Sequence, residues 1–81
     1  MEILWDELKR IANLDKHGLD FAALTEMFFE TSTVIPAKHE RWMAVGYLEG
    51  RKISVVFRPL GREALSVMSM RPAGAKERNL I

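Results

Sequence analysis

Nine polar residues fall where the elements read from this sequence end: Lys16, His17, His39, Glu40, Arg41, Arg58, Arg71, Glu77 and Arg78. Glutamate or histidine can take a proton from a hydroxyl, and histidine or a positioned lysine can return one to a leaving oxygen. Arginine suits a phosphate because its planar fork supplies two donors at once. Metal-free cleavage of RNA needs these abilities together: a base for the 2′-hydroxyl, an acid for the 5′-oxygen, and fixed cations around the negative phosphate. Residue types alone do not select that chemistry. His17 also reads as a helix C-terminal residue bonding carbonyls. Glu40 and Arg41 read as a solvated pair, and Arg71, before Pro72, as a cap on the last strand.

Other chemistries lack their residues. There is no cysteine, so disulfides, thiolate metal sites and a thiol nucleophile are excluded. The five glycines are dispersed, and neither a P-loop nor GxGxxG occurs. His17 and His39 stand 22 positions apart, a spacing that selects no zinc geometry. No GxSxG nucleophile elbow is present. The start, MEILWDELKR, is apolar too briefly for a signal peptide or a membrane span, so a cytoplasmic protein is expected.

The elements that must position these groups follow from pattern. Residues 1–81 are one domain. Residues 2–5 are a short apolar segment, an edge-strand candidate. Asp6 is an N-cap for an amphipathic helix over 7–17, with Lys16 and His17 in its last turn and Gly18 as a left-handed C-cap. Asp20 caps a second helix, with Leu19 and Leu24 as a hydrophobic staple and Phe21, Leu24 and Phe28 on one stripe. Residues 31–35 form a short strand closed by Pro36, and 41–48 a longer one. Glu49 and Gly50 are expected to turn as type I with a glycine bulge. In 51–58, Ile53, Val55 and Phe57 face one way and Lys52, Ser54 and Arg58 the other. A turn at 59–61 leads to a strand over 63–70. Pro72 breaks it, and 73–80 is a short terminal helix. The aromatics and most methionines, Trp42 and Met27 included, read as core.

The order β-α-α-β-β-β-β-α implies an α+β domain. An antiparallel sheet of about four strands would pack on two N-terminal helices, with its other face open. Charge is uneven along the chain. Residues 1–50 hold 5 Lys/Arg and 9 Asp/Glu, and residues 51–81 hold 7 Lys/Arg and 2 Asp/Glu. That places a basic surface late in the sequence, suited to phosphate.

In order along the chain, several residues resemble one family. Trp5, Asp6, Lys9, Asn13, Lys16, His17, Gly18 and Phe21 look like the opening of BrnT-type toxins. Glu40, Arg41, Gly46, Val55, Val56, Ser69, Arg71, Ala73, Glu77 and Arg78 continue the likeness over essentially the whole chain. The resemblance implies a RelE-like fold and a ribonuclease toxin of a type II toxin–antitoxin system, cleaving RNA without metal or cofactor. It implies a BrnA-like antitoxin that binds DNA and masks the toxin, in a hetero-oligomer. An apolar share of 48% in a short chain leaves room for a patch that such a partner covers. Carried over by position, His17, Glu40 and Arg71 are the catalytic candidates, with His17 or Glu40 transferring protons and Arg71 with Lys16 on the phosphate. Lys9, Lys16, Arg41 and Arg78 are phosphate-binding candidates on the same basis, with Arg58 added from the polar set. The family often has arginine at the position of Ser66 and tyrosine at that of Leu80. A catalytically weakened relative that only binds RNA or antitoxin is the alternative, and Arg62 is the candidate to replace the missing arginine.

Overall fold

The computed structural model describes all of residues 1–81. In chain order the elements are β1 (Glu2–Trp5), α1 (Glu7–His17), a 3-10 turn (Phe21–Ala23), α2 (Glu26–Thr31), β2 (Thr33–Ala37), β3 (Arg41–Leu48), β4 (Arg51–Leu60), β5 (Ala64–Pro72) and α3 (Ala75–Arg78). They build an α+β domain around one five-stranded sheet of order β1-β5-β4-β3-β2. Strands β2 to β5 form an antiparallel meander. The short opening strand adds a fifth member, parallel to β5 with Trp5 opposite Val67. The sheet is therefore mixed rather than antiparallel. The intervening helix reverses the chain, so β1 reaches the far edge beside the last strand.

One face of the sheet carries the core. Ala44, Ile53, Val55, Phe57, Leu65, Val67 and Met70 pack against Leu19, Phe21, Leu24 and Phe28 from the helical segment. Phe29 bridges Phe28 and Phe57 by edge contacts, at centroid distances of 5.2 and 5.4 Å. Close packing explains Gly46: a Cβ there would lie 2.5 Å from Ser32 Oγ and 3.1 Å from Phe28 Cε1. Trp42 and Met27 are exposed, contrary to their reading as core.

The second helix is two pieces. Asp20 accepts the Ala22 N–H, as expected of a cap, but only a 3-10 turn follows. Leu24 leaves helical geometry at ψ 141, and Thr25 starts α2 afresh by accepting the Phe28 N–H. Threonine competes well for a free helix N–H, so it divides the run. Phe21, Leu24 and Phe28 still share the core. The β3–β4 connection also differs from expectation. Glu49 and Gly50 have φ 51 and 80 and lie between the paired Leu48 and Arg51. This is a two-residue primed turn, whose twist matches its strands.

Candidate active site

Helix α1 brings the first group of site residues to the edge of β5. The Asp6 carboxylate accepts the Lys9 N–H at 3.1 Å. Gly18, at φ 68, ends the helix by donating to the Leu14 carbonyl at 2.8 Å. The helix is fixed to the sheet by Asn13. Its Nδ2 donates to the Leu19 carbonyl at 3.1 Å, and its Oδ1 accepts the Met70 N–H at 3.0 Å. Met70 lies beyond Val67, where β1 stops pairing, so Asn13 takes a sheet-edge donor that would otherwise be open.

Beside Asn13 is a groove of about 300 Å³ lined by Lys9, Lys16, His17, Met68 and Ser69. A β-bulge shapes it: Val56 pairs with Ser69 and Phe57 with Val67, leaving Met68 as the extra residue. Bulges re-aim side chains in this way. Lys9 and Lys16 form no ion pair. The groove therefore holds basic side chains without an acidic partner.

The second group centres on Arg71, one strand repeat, about 7 Å, along β5 from Ser69 and on the same side of the sheet. Arg71 grips Glu77 through both terminal nitrogens, at 2.9 and 2.6 Å, and Nη1 also donates to the Pro72 carbonyl at 3.3 Å. Three of its five donors are thus engaged. The Nε–H and the outer Nη2–H remain, and together they form a second, side-on fork. Glu77 is the hub of this cluster. It accepts the buried Ser54 hydroxyl at 2.7 Å and the Gly74 N–H at 2.9 Å as well. Chiefly the Arg71 hydrogen bonds hold its carboxyl well below the ordinary value, at about 2, with the Gly74 and Ser54 donors adding to the effect and burial opposing it. Two further donors, Ser54 and Gly74, and a four-residue helix therefore fix the carboxylate that orients the guanidinium.

The third group lies at the other end of the sheet. Glu40 is exposed at the tip of the β2–β3 hairpin, where His39 and Glu40 both have positive φ, 61 and 59. Arg41 and Arg58 follow just beyond the Trp42–Phe57 pair. The Nε–H of Arg41 is buried with no acceptor. Arg71 pairs with Ser54 and Ser54 with Val45, five residues along β3 from Glu40. Strand spacings then separate Glu40 from Arg71 by roughly 20 Å, beyond joint reach of one phosphate. Lys9, Lys16 and His17 share one groove with Ser69, Arg71 stands one strand repeat further along β5, and Glu40 lies apart. Arg78 is exposed on α3, near Arg71 in sequence but facing a different cavity.

Ser66 pairs across the strands with Arg58. A guanidinium thus stands opposite the serine, supplied by the neighbouring strand. Arg62, the candidate replacement, instead lines a cavity with Glu2, Glu26 and Glu63. Residue pattern alone assigned no role to Ser54, Ser69 or Asn13. Ser54 carried one signal, its place on the polar side of an alternating strand, and Asn13 and Ser69 carried another, their place in the family resemblance. The Asn13 contact to Met70 joins distant segments.

A sheet flanked by helices, with unpaired basic side chains on α1 and an oriented arginine on β5, makes this a small α+β domain whose surface is chemically suited to an anion. The family model described as ribonuclease toxin, BrnT, of type II toxin–antitoxin system matches residues 5–77. The chain belongs to this family. It is also similar to the Brucella abortus ribonuclease toxin BrnT, known from a 1.1 Å crystal structure. The two share 53% identity at a TM-score of 0.86, over 91% of this chain and 97% of the other. No curated protein matches the chain.

Proposed function

We propose that the protein is a metal-independent endoribonuclease of RelE-like fold that cleaves RNA in the cytoplasm, stops translation and growth, and is neutralised by a BrnA-like antitoxin. Its family membership supports ribonuclease activity in a type II system. One observation carries the mechanism: Arg71 keeps a two-donor fork outside its Glu77 pair, and Ser69, one strand repeat along β5, lines the groove of the unpaired α1 cations.

In this reading the phosphate sits between Arg71 and Lys16, both of which stabilise the negative charge that grows in the transition state. The 2′-oxygen attacks phosphorus and the bond to the 5′-oxygen breaks. The products are a 2′,3′-cyclic phosphate and a free 5′-hydroxyl. His17 is the proton-transfer group, since it lines the same groove. Glu40 is too far from Arg71 to share that task. With Arg41 and Arg58 it belongs to the part of the sheet that flanking nucleotides would cross. Lys9 adds to the field at the groove.

The test is RNA cleavage by the purified chain in excess EDTA, beside Arg71→Ala and His17→Ala. Cleavage that survives the chelator and falls at least a hundredfold in each variant is expected. Full activity in both variants would overturn the assignment. No cleavage by well-folded protein, with or without ribosomes, would favour the module that binds RNA or antitoxin without cutting.

A further inference from the structure

A separate cavity of about 350 Å³ opens beyond the β3–β4 turn, lined by Tyr47, Arg51, Lys52 and Arg78 with proline, alanine and glycine completing the wall. Its lining has three cations and no acidic side chain. Arg51 and Arg78 form no ion pair, so their charge is unopposed. Lys52 is fixed in place: its ammonium donates to the main-chain oxygens of Arg78 at 3.2 Å and Ile81 at 3.4 Å. It also lies 5.8 Å from the centroid of the Tyr47 ring, its register partner across the strands. The tyrosine is 56% exposed, so packing does not account for it.

The cavity adjoins Arg71. Lys52 precedes Ser54 by two residues, and Ser54 pairs with Arg71, which makes Lys52 a diagonal neighbour of Arg71 at about 7–8 Å. An exposed aromatic ring beside unopposed guanidinium groups is the combination that holds single-stranded nucleic acid: the ring stacks a base and the cations hold its phosphate. A peptide would find no aliphatic pocket here for an anchoring side chain.

We propose that this cavity is a subsite for the nucleotide flanking the scissile phosphate, in which Tyr47 stacks the base and Arg51 with Arg78 binds the phosphate. The proposal rests on the ribonuclease reading above and extends its substrate to single-stranded RNA held on both sides of Arg71.

Binding and cleavage separate the two. Fluorescence anisotropy with an uncleavable 2′-O-methyl hexanucleotide reads binding alone. Tyr47→Leu is expected to weaken the hexanucleotide about tenfold, with Tyr47→Phe retaining its affinity. Arg51→Ala is expected to reduce the slope of log affinity against log salt by about 0.7. Both side chains are exposed, and circular dichroism checks folding. Unchanged hexanucleotide affinity and salt slope in Tyr47→Leu and Arg51→Ala would overturn the subsite, even if the wild type cleaves RNA normally. Variants that lose only an acidic protein partner, and keep the hexanucleotide, would overturn it as well. Failure of the wild type to bind the hexanucleotide would overturn both readings.

Discussion

Glu77 illustrates how one carboxylate can act through another residue. It holds Arg71 by two charge-assisted hydrogen bonds and is itself held by Ser54 and Gly74. Its pKa is depressed from the ordinary 4.5 to about 2. The stability it contributes is therefore complete above pH 4.5 and is lost as pH falls through 2. The urea midpoint should decline over that window in the wild type and decline less in Glu77→Gln. At neutral pH the variant should be less stable by about 1–3 kcal/mol, the cost of charged hydrogen bonds lost from a half-buried cluster. If Glu77 positions Arg71, Glu77→Gln should lower kcat more than it raises KM. Residue types placed Glu77 and Arg71 among the candidate groups but not in contact. Pattern indicates which side of a strand a residue faces, whereas their meeting depends on where a four-residue helix docks. Glu40 shows the converse. Its type suited catalysis, but its position at a left-handed hairpin tip was not legible from residue type. Relief of that backbone strain makes Glu40→Gly stabilising by about 1 kcal/mol, measurable as a raised urea midpoint.

At the level of elements, α1 was the most legible. Asp6, the last-turn cations and Gly18 all stand as expected, because capping is local chemistry. The second helix was less so, since Thr25 as an internal cap competes with a continuous apolar stripe. Asn13 joins α1 to β5, and no local rule indicates its partner. Asn13→Ala should cost about 2 kcal/mol by leaving the Met70 N–H and the Leu19 carbonyl unpaired, and should speed amide exchange at Met70. Gly46→Ala should cost about 1–3 kcal/mol, because Ser32 and Phe28 of the opposing segment must move. Helix α1 also buries none of its residues, and Leu8 and Ile11 are exposed at 78% and 51% one turn apart. An antitoxin of the kind proposed above would find an apolar docking face here. Leu8→Glu should leave RNA cleavage intact and weaken co-purification with the partner by at least tenfold; an undiminished complex would move the interface elsewhere.

For the whole molecule, the late-sequence basic bias was the most useful global signal. Arg51, Lys52, Arg58, Arg71 and Arg78 all come from the last 31 residues, and strand pairing distributes them over β4, β5 and α3. What composition could not show was the closing strand. Alternation marks β2 to β5, but four residues at the start carry too little pattern to choose a partner or a direction. The pairing of β1 with β5 joins segments 62 residues apart: Glu2 pairs with Ala64 and Trp5 with Val67. A ribosome emits the α1 cations well before the Arg71 strand. Until β5 has emerged, the first strand has no neighbour, Asn13 has no donor to accept, and the groove has only one wall. The groove and the Arg71 fork therefore come together only once β5 has been made, so the activity proposed above is withheld while the preceding segments are synthesised.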